Sequence, residues 1–254
     1  MKRSLTLYTT LILGGIFVFL PFGSAAEFSF RDGGANKHSL KAYRWILEQP
    51  DFVHYLLVTL KLTVIAVVIT ILLMVPTVVW LHLRAQSLRP LMEFLTILPL
   101  VIPVVALAIG AQSAFPTWLQ STEYELSLMF AVLAMPYTYR TLDTGIAAIP
   151  LATLTEAARS LGANWFNTII RVILPVIRSA VIGAVFIATA LSLGEFTLTV
   201  LLHWDTFPTW VTSISQQNIV GAIALSIFSL AAAFLILIIL NFTIFGARTK
   251  KVGE

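Results

Sequence analysis

The composition of the chain excludes an ordinary water-soluble domain. Its 254 residues are 58% hydrophobic and only 11% charged, and the mean hydropathy is +0.92. Soluble proteins carry about 25% charged residues. If each membrane crossing uses about 20 residues, six crossings need roughly 120 residues and leave only short connections. The composition therefore predicts an all-α polytopic membrane protein with about six transmembrane helices and no separate soluble domain.

Charged residues are few, and their placement is informative. Lys and Arg number 16 against 12 Asp and Glu, and they lie between apolar runs instead of forming one basic patch. This placement favours a role in membrane topology over nucleic-acid binding. The absence of cysteine excludes disulfides, cysteine-ligated zinc or iron–sulfur centres and thiol catalysis within the chain. The four histidines have spacings that predict no metal site: His38, His54, His82 and His203.

The first apolar run, residues 5–22, has two interpretations. Two basic residues precede it and a Ser-Ala-Ala segment at 24–26 follows it, as in a cleaved secretory signal. The run is also close to the length of a membrane crossing, and we favour a first transmembrane helix. The polar stretch at 23–51 predicts a turn at Gly33-Gly34 and a short surface helix at 40–47. This stretch is either a plain connection or a surface for a partner protein.

Five further apolar runs predict the second to sixth membrane crossings, and the run for the fourth crossing is short. Prolines and glycines interrupt two of them: Pro99 and Pro103 lie in the third crossing, and Gly183 and Gly194 in the fifth. These residues indicate kinks and close helix packing, or broken helices that line a transport pathway. The five runs span residues 56–81, 91–111, 126–139, 176–202 and 219–245.

The basic residues predict the orientation of the chain. Six crossings place both termini on one side of the membrane. Assigning that side to the cytoplasm agrees with the excess of Lys and Arg expected on cytoplasmic loops. The outer loops around Gln120 and Asp205 then contain no Lys or Arg. The basic residues assigned to the cytoplasm are Lys2, Arg3, Arg84, Arg89, Arg140, Arg159, Arg171, Arg178, Arg248, Lys250 and Lys251.

The longest cytoplasmic connection, between the fourth and fifth crossings, has a pattern unlike that of a passive linker. Thr153 and Glu156 have the spacing of a capping box, in which Thr153 caps a helix and Glu156 reaches back to its amide. Gly162 is placed to end this helix in the left-handed conformation. Asn164 is placed to cap a second helix, which Pro175 ends. The apolar residues of that helix are Trp165, Phe166, Ile169, Ile170 and Ile173.

The first of these two helices has a surface suited to a partner protein. Ala157 and Ala158 present a small, close-packing face directly after the carboxylate of Glu156. Such a face fits a groove on another protein. A helix that lies parallel to the membrane and only packs against the bundle explains the pattern equally well.

The same residues resemble the EAA motif of ABC importer permeases, the inner-membrane subunits of binding-protein-dependent uptake systems. The resemblance is interrupted only at Val172, where the motif usually has isoleucine. It implies a MetI-like permease fold and a single transmembrane permease domain over residues 1–254. It also implies that a cytoplasmic coupling loop, at about 140–175, docks in a groove of the ATPase subunit. The coupling residues that it implies are Glu156, Ala157, Ala158, Gly162, Leu174 and Pro175.

The resemblance also implies partners, because the chain has no G-x-x-x-x-G-K-[ST] motif to hold nucleotide phosphates. ATP and Mg would be bound by a dimer of ABC ATPase subunits, so this chain is a non-catalytic transport subunit without a cofactor or metal of its own. A second permease chain pairs with it, and the branch that it resembles favours a heterodimer over a homodimer. An extracytoplasmic solute-binding protein delivers the solute.

The localisation implied is the bacterial inner membrane, in contact with lipid, as a multi-pass protein with both termini in the cytoplasm. A different class of function is left as the alternative: an ion-coupled secondary transporter.

Glu195 lies inside an apolar run, where an ionised carboxylate is costly. Two roles are open for it and its neighbour Gly194: part of the translocation pathway, or a structural hydrogen bond. The segment 194–198 resembles the fifth crossing of permeases for polyamines, ferric iron, phosphonates and sulfate or molybdate, with the spermidine/putrescine-type branch the most similar. This resemblance makes a polyamine the first substrate expected, with iron, thiamine, phosphonate or sulfate-type anions as close alternatives. A carboxylate suits a cationic solute, but the same segment occurs in permeases for anions.

Structural roles are expected for the remaining polar and aromatic residues. Glu93 is assigned to a helix interface. Asp143 follows Arg140 closely, so we expect an ion pair that anchors the loop. Contact with membrane edges, or alternatively with a binding protein, is expected for Trp118, Trp204 and Trp210.

Overall fold

The computed structural model describes the backbone of residues 2–32 and 35–245 and the side chains of residues 7–32 and 37–239. Helices make up nearly all of its regular structure. The chain divides into two compact units, one of residues 1–56 and 207–235 and the other of residues 57–206 and 236–254. The single domain expected from the sequence stays a prediction.

The first unit contains the N-terminal helix and the only strands among the described residues. Helix α1 is followed by a short antiparallel hairpin and then by α2, which confirms the helix predicted at 40–47. The Gly33-Gly34 turn predicted between the strands lies outside the described residues. The elements of this unit are α1 (Lys2–Ser29), β1 (Arg31–Asp32), β2 (Ala35–His38), α2 (Lys41–Glu48) and the start of α3 (Phe52–Arg84).

An aromatic core holds the first unit together. Phe52 packs edge-on against Phe207 at a centroid distance of 5.9 Å, and Ile46 of α2 lies in the same cluster. Trp210 is only 7% exposed within this cluster. It is therefore a core residue, and its assignment to a membrane edge was wrong, because aromatic neighbours surround the ring that the sequence placed beside lipid.

The second unit begins with the long helix α3 and a broken third crossing. The run predicted at 91–111 divides into two helices that meet at 105°. Ile102, the first of the two residues between them, has an extended backbone with ψ of 131°. Proline at position 103 favours this, because its ring disfavours helical geometry in the preceding residue. The elements are a 3₁₀ turn (Gln86–Leu88), α4 (Arg89–Val101), α5 (Val104–Ala114), α6 (Thr117–Gln120) and α7 (Tyr124–Ala147).

Helix α7 is the centre of the second unit and packs closely on α11. At Gly145, any added Cβ would collide with the Cβ of Ala180. At Gly183, an added Cβ would lie 3.1 Å from Cγ2 of Thr141. Small residues therefore let the two backbones approach, as expected for helices in a membrane. The remaining elements of this unit are α8 (Leu151–Ser160), α9 (Trp165–Asn167), a π-helical segment (Thr168–Ile173), α10 (Leu174–Val176), α11 (Arg178–Leu193) and α12 (Thr197–Leu201).

The last predicted crossing is continuous and the fifth is not. After α13 (Phe207–Ser215), helix α14 (Ile219–Phe245) has the bounds predicted for the sixth crossing. The fifth predicted crossing, 176–202, is interrupted between α11 and α12. The broken helices expected as an alternative to simple kinks are therefore present in both the third and the fifth crossings.

Length and apolarity identify fewer crossings among the described residues than the six predicted. Three helices qualify, and two bent pairs raise the number to as many as five. Helix α7 is not among them, although its 24 residues are long enough. Twelve of those residues are buried, including polar ones, so they face protein instead of lipid. The fourth crossing stays a prediction. The three helices are Leu7–Ser29, Phe52–Arg84 and Ile219–Ile239.

Candidate functional site

The loop predicted to bind a partner begins with helix α8, but its capping box is absent. The helix begins at Leu151, after Pro150, and no side chain caps it. Thr153 is the third helical residue and not the N-cap, and the N-cap position is Pro150, which has no N–H to receive a returning side chain. Proline is favourable at the start of a helix, which the capping-box prediction did not take into account. Burial of Leu151 also stabilises this earlier start.

Helix α8 has one buried and one exposed face. Leu151, Thr155 and Ala158 are buried, at the spacing of one helix face. Glu156 and Ala157 are exposed. The prediction that Ala157 and Ala158 form one partner-facing surface was therefore wrong, because consecutive residues point about 100° apart on a helix. Only Glu156 and Ala157 of the Glu-Ala-Ala segment are available to a partner.

The end of α8 is the Schellman motif that Gly162 predicted. Gly162 has φ of +81°, and its N–H donates to the carbonyl of Arg159 at 2.9 Å. The N–H of Ala163 donates to the carbonyl of Ala158 at 3.0 Å. These two bonds satisfy carbonyls that a helix end leaves free. The chain therefore reverses sharply at Gly162.

The second helix of the loop starts as predicted and runs further than predicted. Oδ1 of Asn164 accepts a hydrogen bond from the N–H of Asn167 at 2.8 Å, which confirms the cap. The helix does not stop at Pro175 but continues to Val176. The preceding turns are π-helical, and this wider winding gives room for the proline ring, which clashes with the carbonyl four residues earlier in an α-helix. Leu174 packs on the buried core and Pro175 is exposed.

Large apolar side chains are exposed where the two loop helices meet. Leu161 is 89% exposed, Phe166 71% and Trp165 45%. With Glu156 and Ala157, we call these residues the loop surface. Leu161 was not predicted as a partner residue, although its place directly before a helix-ending glycine is a signal that could have identified it. A surface of this kind favours contact with a partner protein.

A charged cluster anchors the base of this loop. The carboxylate of Asp143 accepts two hydrogen bonds from Arg89, at 3.1 and 2.8 Å, and lies 2.8 Å from Nε2 of His82. The ion pair expected with Arg140 was wrong, because Asp143 pairs with Arg89 of α4 instead. Neighbouring Arg140 instead lies 3.8 Å from the exposed carboxylate of Glu93.

The cluster has a clear electrostatic consequence. Burial opposes ionisation of Asp143, which lies beyond the predicted fourth crossing, but the hydrogen bonds from Arg89 and His82 outweigh it and lower the pKa of the carboxyl. The ionised carboxylate ties together the ends of three helices, because His82 is on α3, Arg89 on α4 and Asp143 on α7. His82 and Arg89 were not predicted as its partners, since they are more than 50 residues away along the chain.

The two residues predicted for the pathway lie at the break between α11 and α12. Oε1 of Glu195 accepts from the N–H of Leu198 at 2.9 Å, in the first turn of α12. Gly194 is exposed with φ of −93°, a value open to any residue. Glu195 therefore makes the structural hydrogen bond that was one of its two expected roles. Its role in transport stays a prediction.

The structure groups the coupling residues but separates them from the pathway pair. Glu156 to Pro175 occupy two helices that pack on each other. The 16 residues of α11 then carry the chain about 24 Å before Gly194 and Glu195. Any influence of the loop on this break must therefore pass along α11 or through the helices packed on it.

Known proteins similar to this chain are transport permeases. A protein of Salmonella paratyphi A named as a 2-aminoethylphosphonate transport system permease, PhnV, is 29% identical over 164 residues. These cover 62% of this chain, and the chain spans 60% of the length of that relative. The spermidine/putrescine transport system permease PotB of Salmonella typhimurium is 28% identical over 204 residues, 71% of this chain and 70% of PotB.

A third relative extends over more of the chain at lower identity. The transport system permease NifC of Clostridium pasteurianum is 22% identical over 220 residues, covering 78% of this chain and 76% of NifC. The family described as binding-protein-dependent transport system inner membrane component matches residues 59–249. That range contains both broken crossings and the whole loop surface, and it confirms the MetI-like helical permease fold that the EAA resemblance implied. The chain belongs to the family of binding-protein-dependent transport system inner membrane components.

Proposed function

We propose that this chain is the membrane-spanning permease subunit of an ABC importer, which moves a small solute inward with ATP hydrolysed by separate ATPase subunits. The observation that carries the proposal is the loop surface. Leu161 and Phe166 are largely exposed in the same loop as Glu156, whose carboxylate is exposed and makes no hydrogen bond or ion pair with the described residues. Burial of these side chains in a groove of the ATPase subunit would remove their apolar surface from water.

The charged cluster supplies a route from the loop to the membrane helices. A displacement of α8 would pull on the end of α7, three residues before it, where Asp143 holds α3 and α4. Helix α7 is in turn packed on α11 through Gly145 and Ala180. Closure of the ATPase dimer would therefore move these helices together, as in rigid-body alternating access.

The substrate that we propose is a small solute with a protonated amine. The relatives named above include a permease for 2-aminoethylphosphonate and one for spermidine and putrescine. Only 2-aminoethylphosphonate carries an anionic group, but all three solutes have a primary amine. A polyamine, the first expectation from the sequence, and an aminophosphonate both belong to this class.

The complete importer that we propose contains a second permease chain, favoured as a different chain, and an extracytoplasmic binding protein. The transporter would lie in the bacterial inner membrane with both ends of this chain in the cytoplasm. The N-terminal helix supports insertion in lipid or contact with another chain, since Leu7–Ser29 is apolar and none of its most apolar window is buried.

The docking proposal is tested by Leu161→Asp, with Leu88→Asp as the matched control. Leu88 is an exposed leucine on the 3₁₀ turn, another connection predicted to be cytoplasmic. The complex is purified from its native membrane through this chain, and ATPase subunits are counted per permease. We expect Leu161→Asp to lose the ATPase subunits and Leu88→Asp to keep them. Retention of the ATPase subunits and of ATP-driven uptake by both variants would refute docking at the loop surface.

The substrate proposal is tested by competition in vesicles that contain the native complex and its binding protein. Putrescine, spermidine and 2-aminoethylphosphonate are compared with sulfate and phosphate as competitors of uptake and as activators of ATP hydrolysis. We expect at least one of the amines to compete with uptake and to activate ATP hydrolysis. We expect sulfate and phosphate to do neither. Stimulation by sulfate or phosphate alone would contradict the proposed substrate class.

A further inference from the structure

A fully buried carboxylate lies at the opposite end of the second unit from the loop. Glu125, in the first turn of α7, has no exposed surface. Its Oε1 accepts a hydrogen bond from Nε1 of Trp204 at 2.6 Å, and both oxygens lie 3.3–3.4 Å from Nε2 of Gln112. Among the described residues, no Lys, Arg or His nitrogen lies within 4 Å of it. The carboxylate is therefore held by neutral donors and by the N-terminal end of α7.

The residue that supplies the strongest of these bonds follows a strained position. His203 has φ of +59°, the only left-handed residue other than glycine among those described. It ends α12 in a Schellman motif, in which the N–H of Trp204 donates to the carbonyl of Thr199 at 3.0 Å. Left-handed geometry is unfavourable for a residue with a Cβ and persists where surrounding contacts enforce it. The backbone bonds of this helix end and the bond from Trp204 to Glu125 both fix the residue that follows His203.

The other donor belongs to the second half of the broken third crossing. Gln112 is on α5, and its carbonyl accepts a hydrogen bond from Nε2 of Gln120 at 2.6 Å. Next to Glu125 on the same helix, Ser127 donates to the carbonyl of Leu62 on α3 at 3.2 Å. Gln112 of α5 and Trp204, which lies just after the end of α12, thus both bond one carboxylate on α7.

We propose that Glu125 is the positioning residue of the extracytoplasmic gate: with Trp204 and Gln112 it holds the outer ends of both broken crossings against α7 while the pathway is closed on that side. The inference rests on the proposed function and adds the place where the gate closes. Neutral donors suit a gate, because water replaces them more readily than it replaces the partner of a buried ion pair when the gate opens.

Cysteine labelling tests the gate, since the natural chain has no cysteine. Ala111→Cys places a thiol at a buried position of α5 next to Gln112, and Ala184→Cys places one at a buried position of α11 in the other core cluster of the same unit. Each is combined with Glu125→Ala, Glu125→Gln or Trp204→Phe in the native complex in vesicles. A membrane-impermeant thiol reagent is added on the extracytoplasmic side, and the rate of modification is measured.

We expect Glu125→Ala and Trp204→Phe to raise labelling at position 111 about tenfold, the effect of losing one hydrogen bond to a charged group. Labelling at position 184 stays unchanged, and Glu125→Gln, which keeps an acceptor for Trp204, restores a rate near that of the parent. ATP hydrolysis in the absence of the binding protein rises in the first two variants. A merely structural role would not raise this rate.

Two outcomes overturn the inference: unchanged labelling at position 111 in both variants, or an equal rise at positions 111 and 184, which indicates general loosening. The labelling rates are measured in the absence of ATP, so they do not depend on ATP hydrolysis. If the parent complex carries no ATPase or shows no ATP-driven uptake, the proposed function fails, while the labelling rates still decide whether Glu125 holds this end closed.

Discussion

At the residue scale, Gly162 has the backbone geometry that is least tolerant of substitution. Its φ is +81°, and an added Cβ would meet no atom within 4 Å. The cost of Gly162→Ala is therefore backbone strain alone, about 1 kcal/mol. We expect this variant to loosen the turn and to lower the ATP-driven uptake per ATP hydrolysed, measured in vesicles.

Asparagine provides the control at this position, because it adopts left-handed geometry more readily than alanine. Gly162→Asn should keep more of the coupling than Gly162→Ala does. If alanine couples as well as glycine, the left-handed turn is not required for transport.

Asp143 is the second residue whose local role leads to a prediction. Asp143→Asn removes the charge that accepts two hydrogen bonds from Arg89, so we expect a loss of about 1–2 kcal/mol in stability. Because the pKa of Asp143 is lowered, this contribution is complete above its unfolded pKa of about 4 and is lost as the pH falls through the folded pKa. Thermal unfolding of the purified complex at several pH values measures both effects.

Glu93→Gln is the matched control for this charge. The pair of Glu93 with Arg140 is exposed and longer, at 3.8 Å, so its loss should change stability by less than about 0.5 kcal/mol. Equal effects of the two substitutions would mean that the Asp143 cluster does not anchor the helix ends.

At the element scale, the contact between α7 and α11 depends on the absence of a side chain. Gly145→Ala would drive a methyl group into Ala180, whereas Gly110→Ala on α5 would meet no atom within 4 Å. We expect Gly145→Ala to destabilise the protein by about 1–3 kcal/mol, through overpacking. Gly110→Ala should be neutral or slightly stabilising, because alanine has the higher helix propensity.

Thermal unfolding of the two glycine variants distinguishes packing from propensity. A neutral Gly145→Ala would show that the helices separate without cost, and it would remove the close packing through which we propose that motion passes from α7 to α11.

Sequence patterns were sufficient to predict those helix ends that depend on neighbouring residues along the chain. Gly162 and Asn164 act through bonds to residues within five positions, so the predicted helix end at Gly162 and the predicted helix cap at Asn164 are confirmed. The capping box at Thr153 was wrong because Pro150 and the burial of Leu151 set the helix start instead. The break at Ile102 could be suspected from Pro103, but no local pattern gives its angle of 105°.

At the scale of the whole molecule, orientation leads to a direct prediction. Ser121 and Ser160 are both exposed, and they lie in loops predicted on opposite sides of the membrane. We expect a membrane-impermeant thiol reagent added outside intact cells to modify Ser121→Cys and not Ser160→Cys. Permeabilised cells, in which both should react, provide the control. Modification of Ser160→Cys in intact cells would reverse the predicted topology.

Local patterns by themselves determined the membrane class, the last crossing, the loop turn and the family resemblance. These depend on composition and on contacts between near neighbours, which a chain displays directly. Only the tertiary structure decided that Asp143 binds Arg89 and His82, that Ala158 is buried while Leu161 is exposed, and that Glu125 joins two broken crossings. The physical reason is distance: such partners lie tens of residues apart, and packing alone selects which face of each helix meets them.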